Sequence, residues 1–295
     1  MKIYKIIIVL LIILVLFNSK TNKIKKINGG SKKKYAVMSY STNNIGDDIQ
    51  TLAAINFLKK KGITEYIFID REKLCDYNGE HVILIMNGWF MHNINKFPPS
   101  DKITPIFISV HINKEPLISN NINYFKKYQP IGCRDTDTVN LFKKYSIDAY
   151  FTGCLTLLFD NFKEKTEKKY LVDVFIDGKQ IPKIDFDITN YKDYQIIKHN
   201  VVKTDTSLKK RLIDAEKLLN KYRKAKEVVT TRLHCILPCR AFNTNAIFIH
   251  KNYNTDARFS GLKKIINGDI TQHNKKKGDK YNLEKIRNNF LLLKI

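Results

Sequence analysis

The sequence predicts an α/β protein with two open parallel sheets in succession, on three observations. From Lys34 onward, short β-branched and aromatic runs alternate with helical patterns, the layering of parallel strands and crossover helices. A polar stretch rich in lysine and acid, residues 161–169, divides the alternation into two series. The 295 residues, 43% of them apolar, suffice to bury one large core or two linked smaller ones.

Residues 35–41 read as the first strand, 43–46 as a turn, and 47–60 as a helix with Ile49, Leu52, Ala53, Ile55 and Leu58 facing inward. Strands follow at 66–69, 82–86, 106–110 and 149–152, with helices near 120–127 and 136–145. In the second series 170–176 and 194–199 read as strands, 207–224 as a long amphipathic helix, 227–230 as a strand, 233–242 as a helix and 246–250 as a strand. The expected domains are 35–160 and 170–295, preceded by an anchor and basic linker at 1–34. Two such sheets place a ligand crevice between them, at the carboxyl ends of their strands.

Residues 6–17 form an unbroken apolar run behind Lys2 and Lys5. At about 1.5 Å per residue they cover roughly 18 Å of a hydrocarbon core about 30 Å thick, lengthened by Ile3, Tyr4 and a snorkelling Lys5. A signal-peptide segment, a short membrane anchor and a buried strand all fit. No small-x-small cleavage site follows; instead Lys20, Lys23, Lys25, Lys26 and the lysines at 32–34 make the trailing flank the more basic one. The positive-inside rule keeps that flank cytosolic. The reading is therefore an uncleaved, single-pass hydrophobic helix through residues 3–17, with Asn28-Gly29-Gly30-Ser31 as linker and a cytosolic catalytic domain. The alternatives are a luminal orientation or a cleaved signal.

Lysine and arginine number 52 against 28 acids, a net charge of +24, which points to an anionic ligand or surface. Lysine recurs throughout, including loops with no basic face, so no nucleic-acid partner is expected from charge alone. Cys75, Cys133, Cys154, Cys235 and Cys239 form no C-x-x-C pair and lie mostly among apolar residues, so no metal site is expected. The sequence contains no N-x-[ST] sequon, which agrees with a reducing compartment.

Chemistry concentrates at strand-to-helix junctions. In Asn43-Asn44-Ile45-Gly46-Asp47-Asp48 the glycine permits a tight turn and the new helix offers free N–H groups. Asp47 and Asp48 already satisfy the dipole there, so capping competes with contact to a sugar hydroxyl. His111 follows a strand and sits where α/β enzymes place reacting groups, either catalytic or one of several scattered histidines. Trp89, the only tryptophan, is a platform for a sugar ring or a core or lid residue. In Thr231-Arg232-Leu233-His234-Cys235 a guanidinium fork, an imidazole and free N–H groups meet at a helix start, a receptor for carboxylate or phosphate. Arg134 occupies the matching junction in the first series, either as a second contact to a clamped anion or paired locally with Asp135 or Asp137.

These blocks together resemble the polysaccharide pyruvyl transferase family from about residue 35 to 262. The match includes Asn44-Ile45-Gly46-Asp47, Asn87-Gly88-Trp89-Phe90-Met91-His92, Ile131-Gly132-Cys133-Arg134-Asp135, Thr152-Gly153-Cys154-Leu155-Thr156, Thr231-Arg232-Leu233-His234-Cys235 and Asp256-Ala257-Arg258-Phe259-Ser260-Gly261-Leu262. The resemblance implies two Rossmann-like domains in a glycosyltransferase-B-like arrangement. It implies transfer of the pyruvyl group of phosphoenolpyruvate onto a glycan or lipid-linked sugar as a ketal, with no cofactor beyond that donor substrate. By the same resemblance Arg232 and His234 bind the donor, Arg134 is a second anion contact and His111 is the general acid. Asn44, Gly46, Asp47, Trp89 and Arg258 are substrate contacts. The chain departs from the family pattern at Asn243-Thr244-Asn245-Ala246 and only loosely follows it around His111. The alternatives are a nucleotide-sugar-dependent glycosyltransferase on the same scaffold and an inactive protein that binds glycan or nucleic acid.

Overall fold

The leading strands of both series are apolar runs without polar alternation, the pattern of parallel strands covered on both faces. The computed structural model describes residues 33–176, 179–180, 191–199, 206–267 and 283–295. The expected membrane helix at 3–17 and the linker at 28–31 lie outside them. Among the described residues no helix is long and apolar enough to cross a membrane.

The chain runs through β1 (Tyr35–Ser39), α1 (Ile45–Lys60), β2 (Ile67–Asp70), β3 (Val82–Phe90), β4 (Ile103–Ile112), α2 (Glu115–Ser119), α3 (Ile122–Lys127), β5 (Ile131–Cys133), α4 (Thr136–Lys144) and β6 (Ala149–Phe151). After a 3-10 turn at Leu155–Leu158 come β7 (Lys169–Val172), the short pair β8 (Phe175–Ile176) and β9 (Lys179–Gln180), β10 (Gln195–Ile197) and α5 (Leu208–Lys224). Then follow β11 (Glu227–Thr230), α6 (Leu233–Ala241), β12 (Asn245–Phe248), α7 (Lys263–Asn267) and α8 (Leu283–Leu292).

The first sheet has the order β2-β1-β3-β4-β5-β6 and the second β10-β7-β11-β12, with every pairing in both parallel. This is the mixed α/β, Rossmann-like architecture. Each order reverses direction next to its first strand, between β1 and β3 and between β7 and β11, where such sheets open a crevice. One apolar cluster contains Val37 and Ile85 of the first sheet, Val172 and Val228 of the second, and Ile49, Leu219 and Ile236 from helices between them.

Three differences from the sequence reading bear on the site. The helix expected from residue 47 starts at Ile45, because the Asn44 side chain accepts the Gly46 N–H at 3.0 Å and caps it. The strands expected to end at 86 and 110 continue to Phe90 and Ile112, with a register shift between Met86 and Gly88. Trp89 and His111 are therefore strand residues paired across the sheet, not residues of the following loops. The strand expected over 170–176 stops at Val172, since Asp173 takes φ 51°, which breaks the extended run.

Helix α1 joins the two series. It packs against α5 and α6, and Asp48 in its first turn accepts two hydrogen bonds from Arg211 of α5, at 3.1 and 3.0 Å, with both side chains buried. A Cβ on Gly46 would lie 3.0 Å from His234 Nδ1 and 3.2 Å from His199 Nε2, so this close approach needs a glycine.

Candidate active site

The strand ends of both sheets empty into one cavity of about 420 Å³. Its wall is built in sequence order. Thr42, Asn44, Asp47 and Gln50 follow β1, Arg71 follows β2, Trp89 ends β3, His111 ends β4 and Arg134 follows β5. From the other sheet come His199 after β10, Arg232 and His234 after β11, and Arg258 beyond β12. Eight of the nine residues singled out in the sequence line this one space, and Gly46, the ninth, lies against His234 and His199 at its floor.

His111 is held from behind. Its Nδ1 is 2.7 Å from Asp135 Oδ2, and Asp135 also accepts from the Thr138 N–H at 2.9 Å and the Thr138 hydroxyl at 2.7 Å. Asp135 is the N-cap of α4, so the capping geometry that starts the helix also aims the carboxylate. Burial pushes the His111 pKa down and the Arg134 charge adds to this, against the opposing pull of Asp135. Burial works to raise the Asp135 pKa, but its bond to His111 and the Arg134 charge outweigh it and hold the group below the usual carboxylate range. The resting pair is a carboxylate with a neutral imidazole, Nδ1–H donated to Asp135 and Nε2 left for a ligand.

Arg134 is 2% exposed, and its Nε finds no hydrogen-bond partner. The local pairing considered for it reduces to a 3.8 Å approach to Asp135, which is engaged by His111 instead. A buried guanidinium held this way retains donors for an anion. Arg232, from the other sheet, donates Nε to Asp173 Oδ2 at 2.6 Å. Asp173 also accepts the His199 N–H at 2.7 Å, so the residue with positive φ after β7 fixes two members of the wall. His234 carries a second buried nitrogen without a partner, Nε2. Burial, then Arg134, His199 and Arg258, lower its pKa well below the usual imidazole value. Arg258 is forked onto Asp256.

Asp47 and Asp48, read together in the sequence, diverge. Asp48 turns to Arg211, whereas Asp47 lines the cavity and accepts from the Thr42 hydroxyl at 2.7 Å and Gln50 Nε2 at 3.3 Å. Burial raises the Asp47 pKa above the usual carboxylate range, against Arg71, the Thr42 bond and Arg134. Trp89 donates Nε1–H to Asn113 at 2.9 Å and meets the His92 ring edge-on at 4.8 Å.

The sequence reading passed over Arg71 and His199. Arg71 is 1% exposed, with its guanidinium carbon 4.8 Å from the Tyr40 ring centre and 5.0 Å from that of Trp89, and its Nε on Glu72 at 2.7 Å. His199 is buried, with Nδ1 2.9 Å from the Tyr222 hydroxyl, and burial takes its pKa down to about 4. Its place at a strand end is the signal that also marked His111. The cavity thus gathers four arginines and four histidines, with hydroxyl-matching groups at Asn44, Asp47, Gln50 and Asn113 on one side. Such a wall suits an anion with several oxygens next to a polyol.

A family model described as polysaccharide pyruvyl transferase matches residues 44–250. A crystal structure of an uncharacterized protein from Klebsiella pneumoniae subsp. pneumoniae NTUH-K2044 is similar at 18% identity, covering 77% of this chain and 87% of that one with a TM-score of 0.47. No curated protein matches significantly.

Proposed function

The chain belongs to the polysaccharide pyruvyl transferase family, and on that premise we propose that it moves the pyruvyl group of phosphoenolpyruvate onto two hydroxyls of a glycan sugar as a cyclic ketal. In this reading the two sheets are the halves of a glycosyltransferase-B-like arrangement. The observation that carries it is the meeting of Arg134 and Arg232, one from each sheet, in one cavity.

The donor's carboxylate and phosphate lie between Arg134, Arg232 and His234, whose N–H groups match oxygens that accept only. The donor's negative charge raises the pKa of His111, which then carries the proton that the enol methylene needs. Transfer from His111 to C3 makes the methyl group and leaves C2 an oxocarbenium-like electrophile. A sugar hydroxyl adds to C2 and returns its proton to the freed Nε2. Phosphate departs, and a second hydroxyl closes the ring with its proton passing to the phosphate. Atoms and charge balance without a redox step. Asp47, Asn44 and Trp89 face the space left for the sugar.

Arg134→Ala is expected to lower kcat/KM for phosphoenolpyruvate by about 10²-fold or more, the scale of losing one preorganised charge donor. Acceptor-dependent phosphate release measures it. Full activity in the variant would remove the donor site assigned here.

The depressed pKa values of His111 and His234 give a second expectation. Both groups are neutral in the empty cavity near pH 7, and a bound multivalent anion raises both pKa values, so donor binding takes up protons. Affinity then rises as pH falls through the raised pKa values of the bound state, and levels off below those of the empty cavity. Calorimetry in two buffers of different ionisation enthalpy reads the uptake; binding enthalpies that agree in both buffers would contradict it.

A further inference from the structure

We propose that His199 is a second proton carrier of this cavity: its Nε2 takes the proton of the second sugar hydroxyl as the ring closes and delivers it to the departing phosphate. The proposal rests on the donor reading above and deepens it, by giving a residue to the step that completes the ketal.

That step has a proton to move. Once the first hydroxyl has added, C2 carries the methyl group, the carboxylate, the sugar oxygen and the phosphate oxygen. The bond from C2 to the phosphate oxygen breaks with its electron pair leaving on phosphate, the second hydroxyl oxygen bonds to C2, and the hydroxyl proton ends on phosphate. His111 is not free to carry it, because Nε2 has already taken back the proton of the first hydroxyl. Phosphate can take the proton directly only where hydroxyl and leaving oxygen touch; a neutral base within reach of both removes that constraint.

His199 stands in such a place. It follows β10, is 1% exposed and lines the main cavity. A Cβ on Gly46 would lie 3.2 Å from its Nε2, 2.9 Å from Asn44 Oδ1 and 3.0 Å from His234 Nδ1. Nε2 therefore shares one small space at the start of α1 with a group assigned to the sugar and a group assigned to the donor. Its backbone N–H is donated to Asp173 Oδ1 at 2.7 Å, and the other oxygen of that carboxylate holds Arg232 at 2.6 Å. The same anchor thus registers the imidazole against a guanidinium of the donor site.

His111 and His199 are built alike and differ in one partner. Each sits at a strand end and is gripped at Nδ1, which leaves Nε2 for a ligand. Behind His111 is the Asp135 carboxylate at 2.7 Å, which favours the imidazolium of a proton donor. Behind His199 is the Tyr222 hydroxyl at 2.9 Å. Burial pushes the Tyr222 pKa well up, so this partner stays a neutral phenol. Burial takes the His199 pKa down to about 4, with Asp173 pulling against it and Arg232 with it, so the imidazole is neutral at rest. With Nδ1–H donated to the Tyr222 oxygen, Nε2 keeps its lone pair for the hydroxyl proton. The imidazolium so formed is a strong acid, and it yields that proton to phosphate.

The test uses the full chain with phosphoenolpyruvate in heavy water, and methyl glycosides of galactose, mannose, glucose and N-acetylglucosamine as acceptors. It reads phosphate release and the deuterium entering C3 of recovered phosphoenolpyruvate, which reports proton transfer at C3 whenever the first addition reverses. His199→Gln should lower release by about 10²-fold or more, the scale of losing a positioned base, and leave exchange near the wild-type rate. His111→Gln should lose both. Tyr222→Phe, which frees the other tautomer of His199, should raise the ratio of exchange to release in the same direction by about tenfold, and it carries the test if His199→Gln fails to fold. Melting temperature and calorimetric affinity for phosphoenolpyruvate check each variant. A His199 that only supports the fold would lower exchange and release together. That result, or release in His199→Gln within about twofold of wild type, overturns the proposal and leaves the donor reading standing. A wild type that neither binds phosphoenolpyruvate nor exchanges deuterium into it removes the donor reading, and this role with it.

Discussion

Replacing His111 with glutamine is expected to lower turnover by about 10²- to 10⁴-fold, the range for losing a positioned acid or base. Glutamine keeps a polar end near Asp135 but cannot hold or deliver a proton, so the loss should fall on kcat more than on KM for phosphoenolpyruvate. Asp135→Asn acts through the imidazole. It removes the carboxylate that fixes Nδ1–H at 2.7 Å, frees the other tautomer and withdraws the charge that favours the imidazolium. Its expected signature is a smaller loss of kcat together with a displacement of the alkaline limb of the pH–rate profile to lower pH, because His111 must be protonated to act, which simple loosening of α4 would not produce. Near wild-type turnover in His111→Gln would transfer the proton to another group, with Asp47 next in line by its burial and its place in the wall.

Arg211→Ala is expected to destabilise the protein by about 3–5 kcal/mol, read as a fall in the denaturant midpoint. The effect is large because the guanidinium satisfies both oxygens of a fully buried Asp48. Burial already raises the Asp48 pKa, and Arg211 is what opposes it. Without Arg211 the carboxyl must either stay charged in an apolar setting or take up a proton. The double change Asp48→Leu with Arg211→Met should recover most of the loss, since a buried ion pair contributes little beyond a well-packed apolar pair. A double variant no better than Arg211→Ala would show that the pair is needed for the packing of α1 on α5.

What the sequence disclosed depended on whether a residue's neighbours in the chain were also its neighbours in space. Arg134 and Arg232 sit at strand-to-helix junctions, where the local pattern fixes both the end of the strand and the direction of the side chain. Both were legible, and the structure brings them into one cavity. Arg71 was not. Arg71-Glu72-Lys73 reads as a charged surface turn, and its burial arises from Tyr40 and Trp89, which lie 31 residues before it and 18 after it along the chain. Strand β5 is three residues long and was marked only by the junction at Arg134, without bounds of its own. Asp47 and Asp48 looked interchangeable in the first turn, because helical geometry sends successive side chains about 100° apart and only the partner helix decides which one is buried against an arginine. Trp89 and His111 were placed just beyond their strands because a bulge that lengthens a strand leaves no mark in alternation.

The seam along α1 also says how the enzyme is permitted to move. With Gly46 wedged against His199 and His234, and Asp48 locked to Arg211 two residues further along α1, swinging the two lobes apart would tear a dry ionic clasp and unseat two imidazoles at once. Opening of the two lobes along this seam is therefore expected to be disfavoured, with access to the cavity from its rim.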